Sequence, residues 1–393
     1  MKPTVLHLID SFRQGGSEQQ AVQLARLLKE SGRYDVRVAC LSSEGPLRDE
    51  MERSGFAEIP EYRLNNFYDL NALRQLQRFV RHLKNLKVDI LHTHDFYTNI
   101  FGMAAARIAR VPLRLASRRE SGKRSRSKRA LERAAYLSAH RIIANCDEVR
   151  RQLIAEGVRG EKIITLYNGL SLKRFTPGLR SNREAALAGL GLPLEANLRF
   201  VTIVANLREV KDHPTFLRAA RRVKAEIADA AFVLAGEGSS EAELRALASK
   251  LDLGSAVHFI GRCERVAELL AISSVCVLSS KSEGFSNSIL EYMAAGRAVV
   301  ATDVGGAREA IIEGESGFLA QPGDDRLMAE RIITLLKDGE LAKRMGARAR
   351  AIIEQRFSSE RRLELTEMLY DELLINSSRP VPHILMSGKG ESA

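Results

Sequence analysis

The stretch TVLHLIDSFRQGGSEQQAVQLARLL, residues 4–28, decides the fold because it contains one complete strand, turn and helix pattern. Its first six residues form a short apolar run that is typical of a core strand. Gly15 and Gly16 then mark a turn. From residue 20 onward apolar side chains recur at helical spacing and give the helix one buried face: Ala21, Leu24, Ala25 and Leu28. A strand followed by a helix predicts the first unit of a parallel, doubly wound sheet.

The same alternation repeats along the chain. The first half continues with VRVACLSS, VDILHTH, LRLAS, RIIANC and IITLYNG, and the second half has six similar runs, from FVTIVANL to GFLAQ. A polar stretch containing Pro and Gly, residues 176–182, separates the two sets. We therefore predict an α/β protein with two Rossmann-like domains, residues 1–178 and 179–376. Three carboxyl-terminal helices close the second domain, and residues 377–393 have the composition of a mobile tail.

Bulk composition narrows the class of protein. The 393 residues exceed the usual ceiling for one hydrophobic core, and the net charge of +11 favours anionic partners such as nucleotides, phospholipids or nucleic acid. No apolar run approaches the roughly 18–20 residues of a membrane span, and the amino terminus lacks a signal-peptide pattern, so we predict a cytoplasmic protein. We interpret the four widely separated cysteines as reduced residues in the hydrophobic core.

Positive charge is concentrated in one segment, RRESGKRSRSKRALER, residues 118–133. The simplest interpretation of this segment is a solvent-exposed loop and helix face. The alternative is a patch that binds an acceptor or an anionic membrane surface. The segment has eight basic residues against two glutamates: Arg118, Arg119, Lys123, Arg124, Arg126, Lys128, Arg129 and Arg133. Aromatic residues do not alternate with these cations, so nucleic-acid binding is not expected.

Two glycine pairs lie where a strand ends. Gly15 and Gly16 precede the first helix, where glycines allow backbone amides to approach a ligand. Gly236 and Gly238 occupy an equivalent point in the second half. Neither pair completes the G-x-G-x-x-G pattern of a dinucleotide site, so a plain tight turn is equally consistent with each.

The segment LHTHDFY places two histidines at the end of a strand. Alternation puts His92 and His94 on the same side. Such a pair can bind metal, but no companion ligand is visible at suitable spacing in the sequence. A structural role and a catalytic or sugar-contacting role for His94 remain equally open.

A second group of charged residues follows the first strand of the second half. In VANLREVKDH, Arg208 and Lys211 lie where the mouth of a parallel sheet is expected. Cations there suit the two negative charges of a nucleoside diphosphate leaving group. A basic surface turn is the alternative.

The segment SEGFSNSILEY contains two carboxylates eight positions apart. In a continuous helix Glu283 and Glu291 would be separated by about 12 Å of rise, too far to contact one small group. Gly284 and the polar run after it predict instead that a helix begins near Ser286 or Asn287 with a cap residue there. Unpaired amides at that start suit phosphate, and carboxylates on either side suit sugar hydroxyls. This arrangement fits a nucleotide sugar, although ordinary helix-terminus glutamates give the same pattern.

Taken together, these motifs resemble those of the GT-B fold glycosyltransferases, in particular the retaining enzymes of glycosyltransferase family 4. The resemblance covers about residues 4 to 375. Its most specific part is EGFSNSILE, which matches the family's E-x7-E pattern at Glu283 and Glu291. The segments LHTHD, YNGL, LAGEG, VHFIGR and TDVGGAREAI occur in the family's order.

The resemblance implies a role for each matching residue. The resemblance implies catalytic or sugar-contacting roles for four residues: Glu283, His94, Lys211 and Arg208. In these roles Lys211 and Arg208 would bind the diphosphate. The implied donor-binding set is Gly15, Gly16, Asn206, Gly236, Gly238, Arg262, Gly284, Phe285, Ser286, Asn287 and Glu291. Many family members have an arginine five residues before the lysine, where this chain has Asn206. Arg208 lies on the same side as that position only if the backbone there is extended.

The resemblance also implies an activity. It predicts a retaining transferase that moves a hexose from a nucleoside diphosphate sugar to an acceptor in cell-envelope polysaccharide or glycolipid assembly. No cofactor is expected, and no metal, since the chain has no D-x-D motif. The acceptor is expected to be a saccharide or lipid-linked, with peripheral attachment to the inner face of the plasma membrane. The alternatives are a nucleotide-sugar epimerase on the same fold and a non-catalytic, membrane-bound sugar-nucleotide-binding partner.

Overall fold

The structure is a computed structural model that describes residues 2–122, 124–175 and 183–378. Within this part of the chain there are two six-stranded sheets, each wholly parallel, with helices packed on both. The α/β architecture predicted from the sequence is confirmed, and each of the twelve apolar runs forms a strand. The predicted domain boundary at 178/179, Lys123 and residues 379–393 of the predicted tail lie outside the described residues.

The first sheet has the strand order β2-β1-β3-β4-β5-β6. Its strands are β1 Thr4–Ile9, β2 Asp35–Cys40, β3 Ile90–Thr93, β4 Leu113–Arg118, β5 Arg141–Ala144 and β6 Ile163–Thr165. The helices that connect them are α1 Gly16–Glu30, α2 Leu47–Arg53, α3 Leu70–Asn85, α4 Phe96–Ala109, α5 Arg126–Ser138 and α6 Asp147–Ala155.

The second sheet has the order β12-β11-β10-β7-β8-β9. Its strands are β7 Arg199–Val204, β8 Ala230–Ala235, β9 Val257–Phe259, β10 Ser273–Leu278, β11 Ala298–Thr302 and β12 Gly317–Ala320. The helices of this half are α7 Arg183–Gly189, α8 His213–Glu226, α9 Glu241–Lys250, α10 Val266–Ile272, α11 Asn287–Ala294, α12 Ala307–Ala310, α13 Asp325–Lys337, α14 Gly339–Arg356 and α15 Ser359–Ser378.

The inner strands are largely buried and mostly apolar, as expected where helices cover both faces of a parallel sheet. All six residues of β8 and all five of β11 are buried. Parallel pairing places the carboxyl ends of neighbouring strands at one edge of each sheet, so the loops that follow them are grouped together. Those loops carry the motifs identified in the sequence.

The last helix, α15, crosses back to the first sheet. Its residues Leu369, Tyr370 and Leu373 belong to the hydrophobic core of the first half. The hydroxyl of Tyr370 lies 2.7 Å from Nδ1 of His92 on β3. The sequence groups this helix with the second domain, whereas in the structure it joins the two halves and contributes to the first.

The helices of the described residues were also compared with the requirements of a membrane span. None of them is both long enough and apolar enough to cross a bilayer.

Candidate active site

The helix after the SEGFS segment begins where the sequence predicts. α11 starts at Asn287, and Ser286 before it has extended backbone angles of φ −70° and ψ 121°. Ser286 occupies the predicted cap position, but its side chain makes no capping hydrogen bond. The first amides of α11 are therefore not capped by this side chain, and such amides are suited to binding an anion. Burial raises the pKa of Glu291, in the second turn, to about 7.

Glu283 and Lys211 form a close ion pair beside this helix start. Lys211 Nζ lies 2.6 Å from Glu283 Oε1, and the hydroxyl of Ser280 donates to the same oxygen at 2.6 Å. The two residues meet because β7 and β10 are neighbours in the sheet and the loops after their carboxyl ends lie side by side. The side chain of Glu283 is 13% exposed and that of Lys211 is 22% exposed. A ligand that enters the cleft thus meets one carboxylate and one cation together.

The chain turns between Asn206 and Arg208 instead of staying extended. The amide of Arg208 donates to the carbonyl oxygen of Asn206 at 2.8 Å, which closes a three-residue turn. Strand alternation therefore does not place Arg208 on the same side as Asn206. Both side chains are exposed. The guanidinium of Arg208 opposes the rise in the pKa of Glu18 that burial causes, so its charge acts across the cleft on the start of α1.

Gly15 and Gly16 lie opposite α11, at the start of α1. The side-chain amide of Asn287 donates to the carbonyl oxygen of Gly16 at 3.3 Å. A Cβ on Gly16 would lie 3.4 Å from this amide nitrogen, and a Cβ on Gly15 would collide with the Glu18 carboxylate. The glycine turn of the first domain and the helix start of the second therefore line the same cleft.

The side chain of Asn287 is bonded entirely to the first domain. Its Oδ1 accepts hydrogen bonds from Gln20 Nε2 at 3.2 Å and from Asn168 Nδ2 at 3.0 Å. Gln20 and Asn168 are both 4% exposed, so these bonds are shielded from water. No sequence pattern assigns a role to Gln20. Asn168 lies in the YNGL segment, and the position of this segment in the family's order of motifs is the feature of the sequence that points to a role for it. Asn287 thus joins the two halves of the molecule at the start of α11.

Three of the predicted glycines lie where backbones approach closely. A Cβ on Gly284 would overlap the carbonyl group of Arg119 in the first domain. Cβ atoms on Gly236 and Gly238 would overlap the carbonyl oxygens of Ala205 and Leu207, respectively. Gly236 and Gly238 therefore pack the loops after β7 and β8 together, whereas Gly284 allows the two domains to touch beside Glu283.

Two predicted donor-binding residues, Phe285 and Arg262, differ in burial and in the contacts of their side chains. The ring of Phe285 is 4% exposed and packs between the rings of Tyr167 and Phe357, with centroids 5.0 and 5.1 Å away. Arg262 is exposed after β9, and its guanidinium lies 3.6 Å from Glu264. Phe285 thus contributes a packing contact that fixes the loop before α11.

A carboxylate of the second domain caps a helix of the first. Glu309, on α12 in the TDVGGAREAI segment, accepts hydrogen bonds from the amides of Asp147 at 2.7 Å and Glu148 at 2.9 Å, the first residues of α6. A negative charge at a helix amino terminus is favoured by the exposed amides and the helix dipole. Just before α12, the amide of Gly306 donates to the carbonyl oxygen of Gly284 at 2.7 Å. Glu309 therefore links α6 to the loop that carries Glu283.

The histidine pair has a third member that the sequence does not reveal. His7 on β1 is the register partner of His92 on β3, and the rings of His92 and His94 stack with centroids 4.3 Å apart. All three rings are buried. Spacing along the sequence does not show this companion, because His7 comes from a neighbouring strand.

Hydrogen bonds fix the proton positions in this cluster. Arg119 donates to His94 Nδ1 at 3.3 Å, so His94 carries its proton on Nε2 and donates it to His7 Nδ1 at 2.9 Å. His7 Nε2 then holds a proton and has no partner among the described residues. Burial, together with charge repulsion from Arg362 and Arg119, lowers the pKa of His7 to about 3. Both ring nitrogens of His94 are engaged inside the domain.

The three imidazoles lie within 4.8 Å of one another at their ligand atoms, which is close enough to share a metal ion. Other contacts oppose that use. Both nitrogens of His92 are bonded, to Tyr370 at 2.7 Å and Ser117 at 2.8 Å. The positive charges of Arg119 and Arg362 also act on the cluster. A cation there would meet two positive charges, so the donor set fits a hydrogen-bonded core better than a metal centre.

The predicted basic patch is wrong at its first two residues. Arg118 is 1% exposed, and its guanidinium hydrogen-bonds to Glu156 at 3.1 Å and lies 3.8 Å from Glu132. Arg119 is 8% exposed and donates to Asn168 at 3.0 Å. Arg118 is the last residue of the buried strand β4 and Arg119 follows it directly, so both side chains are buried at the end of this strand.

The remaining described cations of the patch lie on or near α5. Arg126, Lys128 and Arg129 are exposed. Arg124 is ion-paired with a glutamate of α5 and lies 4.8 Å from the ring of Phe96 at the start of α4. The exposed basic surface is therefore smaller than the sequence indicates and begins at α5.

Comparisons with known proteins agree with this geometry. Residues 14–174 match the family described as "Glycosyltransferase Family 4", and residues 192–352 match the one described as "Glycosyl transferases group 1". The N-acetyl-alpha-D-glucosaminyl L-malate synthase of Bacillus anthracis is 36% identical over 171 residues, which span 44% of this chain and 45% of that protein. The UDP-Gal:alpha-D-GlcNAc-diphosphoundecaprenol alpha-1,3-galactosyltransferase of Escherichia coli is 27% identical over 372 residues, 92% of this chain and 95% of that protein.

Solved structures share the fold. Anabaena HepE in complex with UDP superposes with a TM-score of 0.82 at 23% identity and covers 95% of this chain and 100% of its own. A glycosyltransferase from Rickettsia africae also gives 0.82, at 21% identity, and covers 95% and 99%. The two family matches, the paired parallel sheets and the E-x7-E segment at the start of α11 agree. The chain is a glycosyltransferase of the GT-B fold and belongs to the family 4 type.

Proposed function

We propose that this enzyme transfers a hexose, with retention of configuration, from a nucleoside diphosphate sugar to an acceptor in cell-envelope polysaccharide or glycolipid assembly. The observation that carries the proposal is the Glu283–Lys211 pair beside the start of α11, opposite Gly16 of the other domain. The Escherichia coli relative is named for UDP-Gal, and Anabaena HepE was crystallised with UDP-glucose. A UDP-linked hexose is therefore the first donor to test.

In this proposal the positive groups of the cleft act on the leaving diphosphate. As the bond between sugar and phosphate breaks, negative charge grows on the diphosphate, and Lys211 with the first amides of α11 stabilises it. Arg208 adds charge from the cleft mouth. No metal ion takes part in this scheme.

The carboxylates act on hydroxyl groups at the two ends of the donor. Glu283 binds the transferred sugar, and Glu291, one turn inside α11, accepts hydrogen bonds from the ribose. Lys211 Nζ lies 2.6 Å from Glu283 Oε1, so in this proposal the lysine contacts both this carboxylate and the phosphate of the donor. Departure and attack on one face of the sugar retain the configuration, and the leaving phosphate accepts the proton of the acceptor.

The acceptor in this proposal is lipid-linked and reaches the cleft from a membrane surface on the cytoplasmic side. The exposed cations of α5, Arg126, Lys128 and Arg129, support it. Each Lys or Arg near an anionic bilayer contributes about 1 kcal/mol of binding free energy. The Escherichia coli relative is named for a diphosphoundecaprenol-linked GlcNAc.

Donor use is tested by a thermal-shift screen of nucleoside diphosphate sugars, followed by release of nucleoside diphosphate from the best donor. We expect Lys211→Ala and Glu283→Gln each to lower turnover by about 10²–10³-fold, since each removes a group on the developing charge or the sugar. Lys281→Ala is the matched control, because Lys281 lies in the same loop but is 52% exposed and pairs with the exposed Glu209 at 3.6 Å. Full activity of Lys211→Ala and Glu283→Gln would refute the assignment.

Membrane attachment is tested separately by co-sedimentation with phosphatidylcholine vesicles with and without phosphatidylglycerol. Replacement of the three α5 cations by serine should abolish the dependence on the anionic lipid. A control protein carries serine at three exposed cations of the second domain, Arg221, Arg326 and Lys337. Equal binding by the two triple variants would show that α5 does not contact the membrane.

A further inference from the structure

Two arginines are buried beside the contact between the domains without an acidic partner. Arg119 is 8% exposed, and Arg362, in the first turn of α15, is 3% exposed. In the described part of the chain the hydrogen-bond partners of both guanidinium groups are uncharged: Asn168 and His94 for Arg119, and Gln20 for Arg362. A buried charge without a counter-charge costs stability, so a reason other than stability is expected for these two residues.

Each arginine fixes the orientation of one side-chain amide. A guanidinium group only donates hydrogen bonds, so the amide that it contacts must present its oxygen. Arg362 donates to Gln20 Oε1 at 2.5 Å, and Arg119 donates to Asn168 Oδ1 at 3.0 Å. The NH2 group of each amide is thereby left to donate elsewhere, and both NH2 groups contact Asn287 of the second domain.

The two amides converge on one atom at the start of α11. Asn287 Oδ1 lies 3.2 Å from the NH2 group of Gln20 and 3.0 Å from that of Asn168. Because both neighbours donate, Asn287 must present its oxygen to them, and its own NH2 group lies on the other side. There Nδ2 donates to the carbonyl oxygen of Gly16 at 3.3 Å. The second hydrogen of this NH2 group has no partner among the described residues.

The other contacts of Gln20 prevent its amide from turning over. Oε1 also accepts from the amide of Gly169 at 3.1 Å, and Nε2 donates to the carbonyl oxygen of Gly169 at 3.0 Å. A Cβ on Gly169 would lie 2.9 Å from the Cβ of Arg362, so a side chain there would push α15 away from this loop. Reversal of the Gln20 amide would break all four of its hydrogen bonds, and its orientation is therefore fixed.

We propose that the two buried arginines are positioning residues for donor binding. Through the side-chain amides of Gln20 and Asn168 they hold the NH2 group of Asn287 toward the diphosphate of the donor. In the reversed orientation Asn287 would present an oxygen to the phosphate, and two acceptors repel each other. The inference rests on the proposed donor site at the start of α11. It gives Arg119 a role other than the acceptor or membrane patch expected from the sequence.

The test is a double-mutant cycle on UDP affinity, measured by calorimetry on the full chain. Gln20→Glu keeps the size of the side chain and the bonds that Oε1 accepts, but it replaces the NH2 group that contacts Asn287 by an oxygen. We expect Gln20→Glu and Asn287→Ala each to weaken UDP binding about tenfold, since each removes the oriented donor from the phosphate. The double variant should bind UDP no more than about twofold more weakly than Asn287→Ala alone, because Gln20→Glu acts through the side chain that is missing. A general effect of the added charge would instead persist without Asn287.

Arg362 provides a second measurement. Arg362→Met removes the charge with little change in volume, whereas Arg362→Lys keeps a donor for Gln20. We expect Arg362→Met to weaken UDP binding at least about fivefold, and Arg362→Lys to weaken it less. The melting temperature of Arg362→Met should not fall, because the substitution removes a buried charge that has no counter-charge.

Three results would overturn the role of the arginines and leave the donor site in place. The first is UDP binding that Gln20→Glu does not weaken. The second is a double variant weakened by about 100-fold, the product of two independent effects. The third is a lower melting temperature of Arg362→Met with unchanged UDP affinity, which would make this arginine purely structural. Absence of UDP binding in the parent protein would overturn the proposed donor site and, with it, this inference.

Discussion

Gly284→Ala tests whether the closed arrangement of the two domains is the one that reacts. A Cβ at this position would lie 2.8 Å from the carbonyl carbon of Arg119 and 2.9 Å from Asn145 Nδ2, and would overlap the Arg119 oxygen still more. Ordinary contacts of this kind begin near 3.4 Å. The two domains must therefore separate locally by about 1 Å for the methyl group to fit, since both obstructing groups belong to the other domain.

The separation occurs one residue from Glu283. A displacement of about 1 Å in a reacting geometry lowers the rate by about 100-fold, which corresponds to about 2.7 kcal/mol in the barrier. The strain lies between domains and not within either core, so both sheets should remain folded. We therefore expect a large loss of activity with an unchanged circular dichroism spectrum.

The assay measures nucleoside diphosphate release from the best donor of the thermal-shift screen, as kcat/KM. Gly339→Ala is the matched control, because its new Cβ meets no atom within 4 Å and should leave kcat/KM unchanged. Small-angle scattering of the donor-bound protein reports closure, which Gly284→Ala should reduce. Activity of Gly284→Ala within twofold of the parent would refute the reasoning, since the domains would then react without this contact.

Three further predictions concern single charges. Glu309→Gln removes the charge at the start of α6 and should cost about 1 kcal/mol of domain closure, so calorimetry should give roughly fivefold weaker UDP binding; unchanged affinity would contradict the linking role. Burial raises the pKa of Glu291 from its ordinary value of 4.5 to about 7 in the folded protein, so stability falls as pH rises from 4.5 to 7. Glu291→Gln should flatten this part of the melting-temperature profile. His7 has a pKa of about 3 against 6.5, so it destabilises the fold as pH falls below 6.5. Urea unfolding should show that the free energy of unfolding falls less steeply between pH 7 and 5 for His7→Gln than for the parent protein. An identical slope for the two proteins would exclude His7 as the source of this pH dependence.

Local patterns in the sequence predicted most of the framework. The twelve strands, the helices α13, α14 and α15, and the start of α11 at Asn287 all follow from apolar periodicity, glycines and polar caps. These features depend on residues close together in the chain, and their spacing reflects whether a side chain faces the core or water. The glycine turn opposite α11 follows from the same logic, because residues at the ends of parallel strands share one edge.

The sequence by itself determined the order of strands and helices and the segments that meet in the cleft. Tertiary structure alone decided which side chains touch there. His7 joins His92 because two strands far apart in sequence pair in one register. Arg118 and Arg119 are buried at the end of β4 by contacts with residues distant in sequence, Glu156 and Asn168, respectively. The bonds from Gln20 and Asn168 to Asn287 form only where the two domains meet. Register, burial of charge and domain contact depend on residues up to hundreds of positions apart, so no local spacing encodes them.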